Sequence, residues 1–360
     1  MTVAATETDN TRRCRLTDRM PCLGPAELVS RFAPRRRFAS ARFGTYEPDP
    51  AHPSQAAALA AVEAFAEMLD APERRRRVWG RRPVPRQARA LYLDGGFGVG
   101  KTHLLAALWH VAPQPSAFVS FAELTAVIGS FGIDAAVEAF GAHRLLCIDE
   151  FELDDVANTL MAVTFLRSVL PSEERPAGTR VVTTSNSVPD QLGEGRFAAD
   201  DFQREIAAIA SHFDVVAIDG PDYRHRSFAS VTPMSDAELE ATAAAPGGGR
   251  GSIDDFDELV AHLRRVHPVQ YGAMLDGLDA VFVRRLRTLG NQGDALLWVL
   301  FVDAVYEAGV RFCASGGPAE VVFDASYRHG GYRKKYGRAE SRIASMLSEE
   351  RVSDQAWSRP

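Results

Sequence analysis

The chain lacks most of what marks a membrane or secreted protein. Apolar residues make up 46% of it, yet no uninterrupted apolar run approaches the roughly 20 residues that a membrane-spanning helix requires. The opening stretch, MTVAATETDNTRRCRLTDRM, has no apolar core and places Glu7, Asp9 and Asp18 among its arginines, so neither a secretory leader nor a transit peptide is expected. Cysteine is scarce: Cys14, Cys22, Cys147 and Cys313 fit no zinc spacing and no disulfide framework, which points to a reducing, cytoplasmic compartment. Cys147 lies inside an apolar run and reads as a small core residue. There is no G-x-S-x-G and no H-E-x-x-H pattern. His103, His110, His143, His212 and His225 show no metal-ligand spacing.

Neither sign of charge is in great excess, with 41 Lys+Arg against 47 Asp+Glu and a net charge of −6. The distribution is uneven. Residues 1–90 hold 17 basic and 10 acidic side chains, and the remainder holds 24 and 37. The basic N-terminal region suits nucleic acid, acidic lipid or an acidic partner, or it is a solvated face.

What is present is organised. Residues 1–30 read as a polar, disordered tail. Residues 54–70 (SQAAALAAVEAFAEMLD) predict a helix with Ser54 as its cap, and Arg74, Arg75, Arg76 and Arg77 follow at or beyond its end. Five strand-length apolar runs come next: 90–93, 117–121, 145–148, 180–184 and 215–218. Helical stretches separate them, which predicts an α/β fold with a parallel sheet and flanking helices. Residues 31–230 form that domain. ATAAAPGGGRGS falls in a flexible linker over 231–252. Residues 253–360 form a smaller, mostly helical, lid-like region, with helices expected at 253–265, 271–288, 294–308 and 338–350. Residues 319–323 read as a short helix or a strand.

Three motifs carry the chemistry. Gly95-Gly96-Phe97-Gly98-Val99-Gly100-Lys101-Thr102 matches the phosphate-binding loop G-x-x-x-x-G-K-[ST], with a strand (Leu91-Tyr92-Leu93) before it and a helix opening at His103 after it. The glycines let backbone N–H groups approach phosphate oxygens, and the helix start adds positive potential. Lys101 then neutralises the β- and γ-phosphates of ATP, and Thr102 ligates Mg²⁺. Second, an apolar strand ends in Asp149-Glu150. Asp149 is expected to hold Mg²⁺ and Glu150 to polarise the attacking water as general base. The adjacent glutamate favours an ATP hydrolase over a small-molecule kinase or a GTPase. Third, the strand Val181–Ser185 runs into Asn186, the candidate γ-phosphate sensor. Upstream, Phe43 and Tyr46 either line an adenine pocket or pack in the core. Arg333-Lys334-Lys335, interleaved with Tyr332 and Tyr336, suits nucleic acid, a partner, the nucleotide, or plain solvent.

IDEFELDDVANTLM, TTSNSVPDQL and Asp222-Tyr223-Arg224-His225-Arg226 resemble the ZapE-type ATPases, a branch of the AAA+ superfamily. FASARFGTYEPDPAHPSQ and GGYRKKYGRAESRI extend the resemblance over roughly residues 36–347. The spacing of Asp149, Glu150, Phe151 and Asp155 is part of it. The resemblance implies a mechanochemical ATPase acting on a protein target, such as a division-ring protein, or in membrane-linked protein quality control. It also implies an ATP-dependent homo-oligomer. The alternatives are a nucleic-acid-associated ATPase such as a helicase loader, which shares GKTHLL, or a slow nucleotide switch. Two departures stand out. The family arginine expected before an apolar helix is replaced by Asp200 and Asp201, so Arg204 or Arg196 becomes the candidate arginine finger. Leu297 stands where relatives carry another arginine.

Overall fold

The computed structural model describes residues 14–70, 90–96, 98–151, 156–172, 178–186, 210–221, 234–245, 250–329 and 332–357. Arg74, Arg75, Arg76 and Arg77 lie outside them. The chain forms two compact units, Leu23–His225 and a second made of Met1–Cys22 with Arg226–Pro360.

In the first unit the five apolar runs become five parallel strands: β1 (Ala90–Gly95), β2 (Ser116–Ser120), β3 (Leu145–Asp149), β4 (Arg180–Ser185) and β5 (Phe213–Ile218). Their order is β2-β3-β4-β1-β5. The inner strands are buried along nearly their whole length because helices cover both faces, which is why they read as continuous apolar runs. Leu93, Leu104, Leu105, Leu108, Cys147 and Val182 form the core between sheet and helices. Each fully buried aliphatic side chain of this kind contributes roughly 1.5–3 kcal/mol. The helix Pro53–Asp70 forms where expected, but Ser54 does not cap it. The Ser54 hydroxyl instead accepts the Asp219 amide at 2.9 Å, and the Gln55 side chain donates to the Asp219 carbonyl at 2.9 Å. Both bonds pin the end of β5. The helix Phe121–Phe131 opens directly from β2 through reciprocal bonds between Ser120 and Glu123.

The second unit departs from the expectation of helices alone. Helices Phe256–Leu263, Tyr271–Met274, Gln292–Ala308 and Arg333–Trp357 surround a three-stranded parallel sheet, β6 (Gly251–Asp255), β7 (Ala280–Leu286) and β8 (Arg311–Gly316), in that order. The helix expected over 271–288 therefore ends at Met274, and its second half is β7. The linker expected over 231–252 contains the helix Asp236–Ala244, closed by a Ser235–Glu238 capping box, and the start of β6. Residues 319–321 are a 3-10 turn. Trp298, Phe256, Phe301 and Phe312 form the centre of this core, with Trp298 and Phe256 edge-on at 4.8 Å.

The tail expected over 1–30 is corrected from residue 14 onward, residues 1–13 lying outside the described residues. Residues 14–18 lie along the free edge of β6: the Cys14 amide donates to Gly251 O at 3.3 Å and the Ile253 amide to Cys14 O at 3.1 Å. Leu16 is fully buried in the second core. The fully buried Asp254 carboxylate holds this segment, accepting the Leu16 amide (2.9 Å), the Thr17 amide (3.2 Å) and the Thr17 hydroxyl (3.1 Å). Residues 25–29 form a short helix in the other unit. Asp254→Ala removes the acceptor and leaves the buried Leu16 amide unpaired, a loss of about 1–3 kcal/mol. Denaturant unfolding should report that loss, and amide exchange should rise at Leu16 and Thr17. Unchanged exchange there would show that Asp254 does not anchor the segment.

Candidate functional site

The phosphate loop joins β1 to the helix Lys101–Val111. Its shape is imposed from two sides. A side chain at Gly95 would collide with the Ile218 carbonyl of β5. Gly100 has φ +92°, and a Cβ there would lie 2.5 Å from the Tyr46 ring. The Tyr46 hydroxyl donates to Val99 O at 3.1 Å. Tyr46 thus braces the loop from beneath and packs against the core, as Phe43 does. Of the aromatics upstream of the first strand, Phe38 lines the pocket, with the Arg37 guanidinium 4.9 Å over its ring. His103, on the first turn of the helix, lies 3.0 Å from the Thr45 hydroxyl and 3.1 Å from Arg42 O.

The pocket gathers Gly98, Val99, Gly100, Lys101, Thr102, His103, Asp149, Glu150 and Asn186, together with Phe38, Thr184 and Ser185. Gly95 and Gly96 contribute carbonyls. Phe97, Arg196, Arg204 and Asp155 lie outside the described residues. Lys101 is almost wholly buried, and its ammonium donates to Gly95 O (2.6 Å), Gly96 O (2.6 Å) and Asn186 Oδ1 (3.0 Å). A phosphate group offers the same ammonium charge-assisted acceptors in place of carbonyls. Behind the loop, burial raises the Asp94 carboxyl pKa above the ordinary range. The Lys101 ammonium and the Gly95 amide pull it back down, and Asp219 adds to the rise.

Asp149 is 1% exposed. Its Oδ1 accepts the Thr102 hydroxyl at 3.0 Å and the Thr184 hydroxyl at 2.6 Å. Its Oδ2 is buried and has no hydrogen-bond partner among the described residues. Glu150, beside it, is exposed and has φ +55°, a conformation a non-glycine residue adopts only when its surroundings enforce it. The sequence reading missed two of these parts. Thr184 lies two residues before the chosen sensor, and Phe38 lies in an arginine-rich run that reads as surface. The run of polar residues ending β4 was the available signal for the first.

Two further sequence candidates lie in the second unit. Leu297 is half-buried on the helix Gln292–Ala308. Tyr336 is a core residue, its ring 5.0 Å from Phe323 and 5.5 Å from Tyr327, while Tyr332 is exposed beneath Lys335 at 5.3 Å. Among the described residues no group of three or more His, Cys, Asp or Glu is arranged to hold a metal, and no helix is long and apolar enough to cross a membrane.

Gly100→Ala should cost about 1–3 kcal/mol from the left-handed backbone and the ring contact together. In a Tyr46→Ala background only the backbone part remains, so the substitution should cost less there. Thermal melts of the four proteins of this cycle measure the difference, and equal costs in both backgrounds would remove Tyr46 as the brace.

The AFG1-like ATPase family matches residues 25–246 and 228–355 of the chain. Cell division protein ZapE of Escherichia coli strain K12 is 26% identical over 317 residues, covering 76% of this chain and 82% of that protein. Solved structures resemble about half of the chain. Domain III of the Thermotoga maritima replication initiation protein DnaA gives a TM-score of 0.37 at 17% identity, covering 51% of this chain and 69% of that one. DnaI gives 0.38 at 20% identity, covering 52% and 93%. The two family matches run through both folded units; the chain belongs to the AFG1-like ATPases, is of the ZapE type within the AAA+ superfamily, and binds and hydrolyses ATP.

Proposed function

We propose that this chain is a Mg²⁺-dependent ATP hydrolase whose turnover drives conformational work on a protein target, in cell division or membrane-linked protein quality control. The observation that carries the metal-dependent reading is Asp149. One of its oxygens accepts two hydroxyls, and the other is buried beside the phosphate loop without a donor among the described residues. A buried carboxylate oxygen left unpaired is costly unless a cation or water meets it. Hydroxyl and carboxylate oxygens are the donors a hard cation prefers, so Thr102 and Asp149 fit Mg²⁺ held with phosphate oxygens and water. When bound, that ion neutralises charge developing on the phosphates.

The roles of the residues follow. The loop amides and Lys101 grip the β- and γ-phosphates. Glu150, exposed at the pocket rim, takes a proton from the attacking water, whose oxygen bonds to the γ-phosphorus as the bond to the ADP oxygen breaks. Asn186 already shares a hydrogen bond with Lys101, which suits a group that reports on the γ-phosphate. Phe38 offers a face for the base. Arg204 or Arg196 serves as the finger, reaching from a neighbouring subunit in an ATP-dependent oligomer. Four free thiols, Cys14, Cys22, Cys147 and Cys313, support a cytoplasmic site of action.

The nucleic-acid reading draws support from the exposed arginines Arg31, Arg36, Arg37 and Arg42 in one short segment. Turnover of the purified protein with a division-ring protein or with single-stranded DNA separates the two. Stimulation by the protein alone supports the proposal; stimulation by DNA alone replaces it.

Lys101→Ala should weaken ATP binding by at least about a hundredfold, because the buried ammonium supplies the charge facing the phosphates. Titration calorimetry measures this, and parental affinity would sink the assignment. Glu150→Gln should keep ATP bound while turnover falls by roughly 10²–10⁴. Single-turnover hydrolysis at the parental rate would show that another group is the base.

A further inference from the structure

We infer that Thr184 is a positioning residue for hydrolysis. Its hydroxyl and carbonyl hold the turn Asp149-Glu150-Phe151 in the one arrangement that presents both carboxylates to the nucleotide. This rests on the roles proposed above for Asp149 and Glu150.

The argument begins where a strand stops. β3 and β4 pair in register from Leu145 with Arg180 to Ile148 with Thr183, and the ladder ends there. The next position on β4 is Thr184, opposite Asp149. Regular pairing gives way to three bonds from this single residue. The Thr184 hydroxyl donates to Asp149 Oδ1 at 2.6 Å. The Thr184 hydroxyl oxygen accepts the Glu150 amide at 3.0 Å. The Thr184 carbonyl accepts the Phe151 amide at 2.7 Å. Phe151 is then anchored edge-on between Tyr92 (6.4 Å) and Phe121 (4.9 Å).

These bonds explain two features that are otherwise costly. A left-handed backbone at a non-glycine residue costs roughly 1–2 kcal/mol, and Glu150 adopts it at φ +55°. With the Glu150 amide held by a side chain on β4 and the Phe151 amide held by the β4 backbone, the chain must reverse between them. The carboxylate of Asp149 is the second feature. Its terminal torsion is soft and nearly two-fold. Thr102 alone would leave the carboxylate plane free to rock about that torsion. The Thr184 hydroxyl, arriving at the same oxygen, fixes the plane and leaves the other oxygen without a donor among the described residues.

The chemistry selects the residue type. One group must donate to a carboxylate and accept from an amide, which a hydroxyl does and a methyl does not. β-Branching restricts the rotamer and suits a strand. Thr183, one residue earlier, is just as buried, yet its hydroxyl has no partner among the described residues. Hydroxyl bonding is therefore a property of position 184 and not of the strand.

The test compares Thr184→Val, which keeps the shape and removes the hydroxyl, with Thr184→Ser, which keeps the hydroxyl. Outer-shell partners of this kind are worth roughly 10–100-fold in metal affinity or activity. In Thr184→Val, kcat should fall by about that factor while KM for ATP changes little. Calorimetry should show Mg²⁺-free ATP binding near parental strength and a loss of about tenfold in the strengthening that added Mg²⁺ brings. Thr184→Ser should restore both readouts. A serine variant as impaired as the valine variant would assign the effect to packing and overturn the role. So would parental kcat in Thr184→Val beside an inactive Glu150→Gln. Parental turnover by Glu150→Gln would instead overturn the reading of Glu150 as base, whatever Thr184→Val does. If Thr184→Val does not fold, Thr184→Ala and Thr184→Ser are compared below the lower of their melting temperatures. The same kcat ratio is expected, and equal turnover overturns the role.

Discussion

A single buried carboxylate oxygen, Asp149 Oδ1, ties together the three elements on which the ATPase unit depends. The carboxylate belongs to β3, and the two hydroxyls that meet it come from the helix after the phosphate loop and from β4. Charged acceptors make these bonds worth more than neutral ones, about 1.5–3 kcal/mol each. The arrangement has a chemical consequence as well as a structural one. Two donors on one oxygen, and none on the other among the described residues, polarise the carboxylate, so its unmet demand points in one direction. The same bonds draw β4 to the end of β3, where Asn186 reaches Lys101. Phosphate grip, carboxylate orientation and sensor position are one connected network.

The loop itself is shaped from outside. Gly95 is needed because β5 presents a carbonyl there, and Gly100 because its backbone is left-handed and Tyr46 fills the space a side chain would take. The end of β5 is in turn fixed by Ser54 and Gln55, residues of the first long helix. The segment upstream of β1 thus acts on the loop twice, through Tyr46 and through the strand beside it. This gives a physical reason for the family resemblance to reach back past the loop into FASARFGTYEPDPAHPSQ.

What the sequence disclosed about this unit, and what it did not, divides along the same line. Strands buried on both faces must be apolar throughout, so 90–93, 145–148 and 180–184 were visible. A loop that wraps phosphate must follow a fixed spacing, so Lys101 and Thr102 were visible too. Thr184 was not, because a hydroxyl at a strand end carries no pattern; its meaning lies in which atoms of β3 face it across the sheet. Phe38 was hidden for a similar reason, sitting among four arginines that signal solvent. Ser54 has the composition of a cap, but the Asp219 amide used its hydroxyl before the helix did. Arg196 and Arg204 fall outside the described residues, and their roles rest on sequence alone.

The second unit was misread for a reason that is general. β6 reads Gly-Ser-Ile-Asp-Asp, which has the polarity of a surface turn. Both aspartates are nevertheless buried, because each meets backbone amides: Asp254 at Leu16 and Thr17, Asp255 at Asp257, the start of the next helix. Burial of a carboxylate is tolerable when donors are in place, and here the donors of Asp254 come from some 240 residues away in sequence. No local window contains that information. For the same reason residues 14–18 looked like a tail: their partners lie beyond the whole ATPase unit. Both the strand and the tail were misjudged because the bonds that hold residues 14–18 and bury Asp254 join segments far apart in sequence. The second unit is therefore completed by a segment that precedes the nucleotide-binding unit in the chain: Cys14 bridges its edge strand, and Leu16 is fully buried in its core.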